Sequence, residues 1–474
     1  NRLCRKFVLQ LFHHKQKRNE LFSMSNFNYT NDILKSLELN SMNGTFFPIP
    51  YPDSDSCFRY EHKPDGSTIK YVNIVSSSTS KPCPHCGCVD RHDSKGIRKI
   101  FLTHTSNGHL KTILEVSYRR YKCKHCHKYF KDTIPFRFPH SKLTTIAAQI
   151  CLFGFRENTA MAVLARSHGL SKSTVYRLFY HHIDIPPRFY HLPSTISIDE
   201  FRATVDEGAF AFHITNPITG KTIDIIADRR ASYLKNYFMR FPYNERKKVK
   251  IIVMDLSGAF HSIMHSLFPH AQIIADKFHY TRIVRENMVQ ARINCCKNLK
   301  DDSLSKLIKR NLHLFDQYKE RLNEKKAWYH PYFKKHMTNK QLVEAILELE
   351  SCEELKINYD IYQNFLKILN EPHNDYKKAL NDWLDHIFKT ENQYYMSTAK
   401  DFRKNWFMPI LRSLTYTTYF KRKNKRIKTC FNNGFIESMN NKVKLVKRNA
   451  YGYRYFQNLR KRILLHLGFK YDII

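Results

Sequence analysis

Two sets of side chains in this sequence have the types and spacing to do chemistry. The first is Cys83-Pro-His-Cys86, followed 37 positions after Cys86 by Cys123-Lys-His-Cys126. Two thiols separated by two residues can grip one side of a metal ion. Two such pairs supply the four thiolates of a tetrahedral Zn²⁺ site. Four protein thiolates leave no open position, so this zinc would be structural. The alternative is a redox pair or four unrelated thiols, but two matched pairs seldom coincide by chance. On the zinc reading Cys88 is a spare thiol, and His85, His125 and His127 point outward from the knuckles.

The second set is acidic and scattered. Asp199 sits in Ile196-Ser-Ile-Asp199-Glu200-Phe201, Asp255 ends the run Ile251-Ile-Val-Met-Asp255, and Glu437 follows Asn432-Asn433-Gly434. Ending a buried strand in an unpaired carboxylate costs stability unless the carboxylate serves as a ligand. Asp276, in Ile273-Ile-Ala-Asp276-Lys-Phe-His279, ends the next apolar run in the same way. Local pattern alone cannot choose between Asp255 and Asp276. Glu200 would point to the opposite face of its strand from Asp199, so it stays outside the set.

Elements must exist to bring these acids together. Thr195–Arg202, Ala209–Thr215 and Thr222–Ala227 read as short strands, and Ala231–Phe241 as a helix. Val249–Met254 and Ala271–Ala275 read as strands buried on both faces. Gly258–Leu267 and Thr281–Ile293 read as helices, and a last helix is expected near 434–448. Between them, residues 301–401 carry 17 acidic and 16 basic side chains and read as a helical scaffold. In this strand order the first and fourth strands are neighbours, about 4.8 Å apart. The side chains of Asp199 and Asp255 then emerge at one edge.

A further motif lies upstream, where the pattern from Leu143 to His182 is helical and Pro186-Pro187 closes it. Ala165-Arg-Ser-His-Gly169-Leu-Ser171-Lys-Ser-Thr174-Val-Tyr-Arg177-Leu178 has a turn glycine, an N-cap serine and a polar-faced helix. That is the helix-turn-helix pattern. Lys172, Ser173, Thr174 and Arg177 would face DNA, with Val175 and Leu178 packed inward. An ordinary helical hairpin is the competing reading.

Charge argues for a polyanionic partner, either nucleic acid or an anionic membrane surface. Lys and Arg number 79 against 42 Asp and Glu, a formal net charge of +37. Such an excess points to a polyanionic partner. Residues 402–474 alone hold 18 basic and two acidic side chains. Lys444 and Arg448 share a helix face with Glu437, and Lys421, Arg422, Lys423, Lys425, Arg426 and Lys428 form a denser run that is either a contact or a solvated face. Tyr451, Tyr453, Tyr455 and Phe456, and the three tryptophans Trp328, Trp383 and Trp406, are expected in cores. No apolar run reaches the 18 or so residues of a membrane span, and no secretory signal pattern occurs. Residues 1–23 precede the first Met and read as upstream read-through, and residues 24–80 have no assignable role.

Taken in order, the cysteine knuckles, the helix-turn-helix, Ile198-Asp199-Glu200-Phe201, Ile274-Ala-Asp276-Lys-Phe-His279 and Asn433-Gly434-Phe-Ile-Glu437-Ser-Met-Asn440-Asn441-Lys442-Val-Lys444 resemble bacterial insertion-sequence transposases of the ISL-three type, with a DDE core. The closing Lys447-Arg448-Asn-Ala-Tyr-Gly452 strengthens the resemblance. It implies a multidomain α+β protein: a zinc ribbon (81–135), a helix-turn-helix domain (141–187), and a ribonuclease-H-like α/β core (194–294 and 430–474) interrupted by an all-helical insertion (295–429). It assigns catalysis to Asp199, Asp255 and Glu437, with Asp276, His279 and Asn440 in support and Lys442, Lys444, Lys447 and Arg448 on DNA. In the ribonuclease-H-like sheet it implies, the fifth strand lies one position beyond the fourth. Asp255 can then share a metal with Asp199, while Asp276, nearly twice as far away, would position the substrate or buttress the site with Lys277 and His279.

The implied reaction is metal-dependent cleavage and transfer of DNA strands at the element's terminal inverted repeats. Two Mg²⁺ (or Mn²⁺) ions roughly 3.5–4 Å apart would be clamped by the three carboxylates, activating the nucleophile and stabilising the leaving oxygen. The expected setting is a bacterial cytoplasm beside the nucleoid, with a homodimer or higher oligomer on double-stranded DNA and no membrane partner. A non-enzymatic DNA-binding regulator derived from such an enzyme is the rival reading.

Overall fold

The computed structural model describes residues 37, 39, 46–76, 81–89, 92–107, 110–422, 425–431 and 434–473. Residues 1–23 lie outside them. So do Asn432, Asn433, Lys423 and the side chains of the basic run around it. The chain divides into two units, residues 1–183 with 473–474, and residues 184–472.

In the first unit, Phe46–Pro48, Thr68–Ser76, Leu110–Cys123 and His92–Asn107 lie side by side in that order. Phe58–His62 and Tyr129–Lys131 add to the same sheet. Thr68–Ser76 runs parallel to Leu110–Cys123, and His92–Asn107 is antiparallel to it. Val72, Ile74, Leu102, Leu114 and Val116 form the core under this sheet. The segment before position 81, which carries no motif, therefore supplies three strands to the sheet that holds the cysteines.

Three helices follow, Thr145–Arg156, Met161–Ser167 and Lys172–Tyr180. Ser171 caps the third by accepting from the Thr174 N–H at 3.1 Å, and Gly169 supplies the left-handed turn before it with φ +57°. A Cβ at Gly154 would stand 2.2 Å from a Leu164 methyl, so the first two helices cross at a distance only glycine allows.

The second unit is built on five strands. These are Thr195–Val205, Gly208–Asn216, Lys221–Ile226, Ile251–Met254 and Gln272–Ala275, here called the first to fifth core strands. Their spatial order is third, second, first, fourth, fifth. The first three are mutually antiparallel, and the fourth runs parallel to both the first and the fifth. Ile252 and Met254 face one hydrophobic core and Val253 faces another with Ile274 and Phe431, so the fourth strand is covered on both sides. The helix after the fourth strand spans Gly258–Leu267, and the long helix after the fifth spans Lys277–Asn298. Tyr280, Val284, Met288, Ala291 and Cys295 recur at helical spacing on its buried face.

The region between this helix and the closing ones is not all helical. Trp328–His330 pairs with Lys335–Met337, and Thr417–Arg422 pairs with Lys425–Cys430, as two hairpins. The first turns through Pro331 and a left-handed Lys334 (φ +51°), joining a strand-favouring Trp-Tyr-His run to its partner. Trp383 and Trp406 are buried as expected, but Trp328 lies on the open hairpin and is 41% exposed. Similarly, Phe456 is buried while Tyr451 is 98% exposed, because Tyr451 stands in the left-handed turn that ends the Gly434–Asn449 helix. Among the described residues no helix is long and apolar enough to cross a membrane.

Candidate functional site

The four thiols converge. Sγ of Cys83 lies 3.7 Å from that of Cys126, and Sγ of Cys86 lies 3.7 Å from that of Cys123. All four fall within 4.8 Å of one another. A Zn–S bond of about 2.3 Å sets a tetrahedral S···S edge of about 3.8 Å, so this donor set fits zinc. Each knuckle folds through a left-handed residue just after its second cysteine, Gly87 (φ +75°) and His127 (φ +57°). The Gly87 N–H donates to the Cys83 carbonyl at 2.8 Å. The Cys123 thiol is lowered to about 6, first by the backbone N–H of Cys126, which favours the thiolate that a metal needs. His85, His125 and His127 are exposed, and Cys88 is half-buried.

The acids converge at one sheet edge. Ser197 pairs with Val253, and Met254 pairs with Ala275. Two residues past the first pair come Asp199 and Asp255, and one past the second come Asp255 and Asp276, so the three aspartates stand level across neighbouring strands. Glu437 enters from the first turn of the Gly434–Asn449 helix. Asp276 is 1% exposed and occupies the N-cap position of the Lys277–Asn298 helix without capping it. Its carboxylate instead accepts from His279 Nδ1 at 2.8 Å, and the same nitrogen lies 2.9 Å from Asp255.

Electrostatics mark the cluster. Burial, then the Asp255 charge, pushes the Asp199 carboxyl up to about 7. Glu437 is raised by burial and then by Asp276. Burial alone would lower His279, but hydrogen bonds to Asp255 and Asp276 carry it up to about 10. Asp199 and Glu437, crowded until they resist ionisation, with the His279 imidazolium as counter-charge, are the surroundings a divalent cation relieves. Asp255, Asp276 and His279 bring ligand atoms within 4.8 Å of one another. Asp199 and Glu437, coupled to them by charge, fall outside that tight group. Their oxygen donors, with that of Asp255, suit a hard ion such as Mg²⁺ or Mn²⁺. Beside them a cleft of about 420 Å³ is lined by Asp276, Lys277, Arg282, Arg285 and Glu437.

A buried polar chain lies behind Asp199. Asn440, one helical turn after Glu437, donates to Asp199 Oδ2 at 2.6 Å. Its carbonyl lies 2.8 Å from His213 Nδ1, and His213 Nε2 lies 2.9 Å from the Thr222 hydroxyl. His213 sits directly across from Asp199 in the second core strand, and burial lowers it to about 4, so it is neutral. With Thr222 donating to Nε2, Nδ1–H faces the Asn440 carbonyl, and the Asn440 amide N–H is left facing the carboxylate. Sequence reasoning picked out Asn440 and missed His213 and Thr222. The available signal was a histidine in the otherwise apolar Ala209–Thr215 run, since buried polar atoms need partners.

The remaining residues fall out as follows. Glu200 pairs with Arg229 at 2.7 Å. Lys277 lines the cleft with Asp276 and Glu437 and donates to the Leu369 carbonyl at 3.0 Å, which ties the core to the inserted region. Lys442, Lys444 and Arg448 are exposed along the Gly434–Asn449 helix. Lys447 is half-buried and donates to the Arg202 carbonyl, which holds the helix to the first core strand. Lys172, Ser173 and Arg177 are exposed, Thr174 is half-buried, and Val175 and Leu178 are buried.

Residues 196–463 match the profile of a family described as Transposase, of the ISL-three DDE type. The chain belongs to this family. It is also similar to the Bordetella parapertussis "Transposase for insertion sequence element IS1001", with 22% identity over 395 residues, covering 81% of this chain and 88% of that protein. A second relative, from Lactococcus lactis subsp. lactis, bears the name "ATP-dependent protease". There the identity is 31% over 140 residues, and the chain spans 39% of that protein's length. The matched family segment of this transposase contains Asp199, Asp255, Asp276, His279, Asn440 and Glu437.

Proposed function

We propose that this transposase binds the terminal inverted repeats of its insertion sequence and cleaves and transfers DNA strands with divalent metal. The observation that carries the reading is the level row of Asp199 and Asp255 on neighbouring parallel strands, with Glu437 descending on the Gly434–Asn449 helix. The strand order third, second, first, fourth, fifth supports a ribonuclease-H-like core. Asp199, Asp255 and Glu437 would hold Mg²⁺ or Mn²⁺, which supplies Lewis-acid activation of an in-line phosphoryl displacement. Asn440 keeps the Asp199 carboxylate oriented, and His279 with Asp276 fixes Asp255 from the other side. Arg282 lines the adjoining cleft, half-exposed and only loosely paired with Glu286 at 3.6 Å, and offers charge to DNA phosphates, whereas Arg285 is held by Asp316. The cysteine knuckles hold structural zinc, and the helix-turn-helix with the exposed Lys442, Lys444 and Arg448 contacts double-stranded DNA. Two element ends must meet, so a dimer or larger assembly is part of the proposal, as is action at the bacterial nucleoid.

A supercoiled plasmid bearing the element's ends tests this reading. Mg²⁺-dependent cuts at the repeats are expected. Specific binding to the repeats with no cleavage under Mg²⁺ or Mn²⁺ would favour the regulator instead.

A further inference from the structure

The first unit contains a cleft of about 650 Å³ whose lining is conspicuously cationic. Lys111 comes from the sheet, Arg137, His140 and Lys142 from the loop after it, and Arg177 and His182 from the recognition helix and its end. Among the described residues no carboxylate lines it. The Lys111 ammonium has a neutral partner there, the Gly169 carbonyl at 2.8 Å, and burial lowers its pKa. Arg137 is held by its Nε–H donating to the Ser141 carbonyl at 2.8 Å. His140 takes a left-handed backbone (φ +50°) and stacks nearly parallel on His182, with ring centroids 6.3 Å apart. Burial lowers His182, and the charges of His140, His181 and Arg177 lower it further. Gathering like charges in a concave site costs free energy that a bound anion would recover.

The recognition helix thus has two different sides. Thr174, Arg177 and Leu178 line the cleft, with Gly169, Leu170 and Ser171 of the preceding turn. Lys172 and Ser173 are exposed and are not part of its lining. We propose that this cleft is a clamp for the phosphodiester backbone of the bound DNA. In it Arg177 holds phosphate, and base reading is left to the Lys172–Ser173 side. The proposal rests on the DNA-binding reading above and assigns the sheet and the 137–142 loop a direct part in it. Arg177, expected from sequence to face the major groove, becomes a contact that carries affinity without sequence information.

Binding of the full, zinc-loaded chain to a terminal-repeat duplex and to a random duplex of equal length, each titrated with KCl, tests the clamp. Arg177→Ala and Lys142→Ala should each weaken both duplexes by the same factor. Each should also reduce the salt slope by about one. Arg177→Lys should retain most of the affinity, because a phosphate accepts either cation, whereas a bidentate base contact requires the guanidinium. Zinc content and circular dichroism verify folding, and Lys142 is exposed and bears no structural side-chain role. The clamp is overturned if Arg177→Ala loses only discrimination with its slope intact, if Arg177→Lys is as weak as Arg177→Ala, or if Lys142→Ala matches wild type. Wild-type protein that binds neither duplex would instead remove the DNA-binding reading, and the clamp with it.

Discussion

The thiol centre and the carboxylate centre are assembled in opposite ways. Each half of the thiol centre is a knuckle four residues long, and only one pairing of strands, His92–Asn107 with Leu110–Cys123, is needed to bring the halves together. The carboxylate centre takes one residue from each of two neighbouring strands and a third from the last long helix. Four thiols within 4.8 Å of one another would close a tetrahedron about a metal and leave no position for substrate. The acids stand at a sheet edge beside a cleft, with Asp199 and Glu437 raised in pKa by burial and neighbouring charge and with His279 as counter-charge. A ligand set made by local sequence suits a permanent structural ion. One made by topology depends on the whole core, and it stays open to an exchanging ion and to DNA.

The largest effect should come from breaking the closed centre. Structural zinc in small domains contributes roughly 10–16 kcal/mol, more than a typical domain's net stability. Cys123→Ser, or prolonged chelation, should therefore unfold the first unit and abolish DNA binding, followed by circular dichroism and gel shift. One zinc per chain is expected by metal analysis. Zinc-free protein with unaltered DNA affinity would remove the contrast between the two centres.

The open centre should fail differently, losing chemistry while the fold survives. Asp255→Asn should cut strand cleavage by on the order of 10³-fold, the equivalent of several kcal/mol of metal-derived stabilisation, with repeat binding intact. Asp276→Asn should leave measurable cleavage, because that side chain is buried against His279. Cleavage assays with the reverse ranking would exchange the two roles.

A smaller effect concerns stability. Asp199 has its folded pKa raised to about 7 from the usual 3.8, so the metal-free folded state prefers the protonated acid. The resulting destabilisation is absent below pH 3.8, grows as pH rises, and is complete above about 7. Asp199→Asn should therefore raise Tm in magnesium-free buffer at pH 8 and change little near pH 4. At about 1.4 kcal/mol per pH unit, the gain is at most roughly 4 kcal/mol. A Tm gain independent of pH would point to packing instead of charge.

Smallest of all is the far end of the polar chain. Thr222→Val removes the hydroxyl that fixes the His213 tautomer, letting Asn440 turn its carbonyl toward Asp199. Cleavage at limiting Mn²⁺ should fall less than the roughly 10–100-fold typical of a direct partner of a metal ligand. Saturating Mn²⁺ should restore much of it, and Thr222→Ser should behave as wild type. Equal loss at all metal concentrations would assign Thr222 to folding alone.

The same contrast explains what was legible beforehand. The cysteines declare themselves by spacing, and the core strands by apolar runs short enough to exclude helices. The Gly258–Leu267 helix is found with the bounds its pattern suggests. Strand order could be argued only through topology, and it decides which aspartates are neighbours. His213 and Thr222 stayed hidden because their partners come from another strand and the Gly434–Asn449 helix, with nothing local to signal the contact. The Trp328–Met337 hairpin was lost inside a stretch whose balanced charge and helical periodicity dominate.

The central claim is that Asp199, Asp255 and Glu437 hold the ions that cut DNA. Replacing Mg²⁺ with Fe²⁺ and adding ascorbate and peroxide would generate hydroxyl radicals at the bound metal and cleave the polypeptide nearby. The account predicts cuts beside Asp199, Asp255 and Glu437, suppressed by excess Mg²⁺ and weakened together by Asp255→Asn. Cuts confined to other segments, or cuts at these three that persist in excess Mg²⁺, would contradict it.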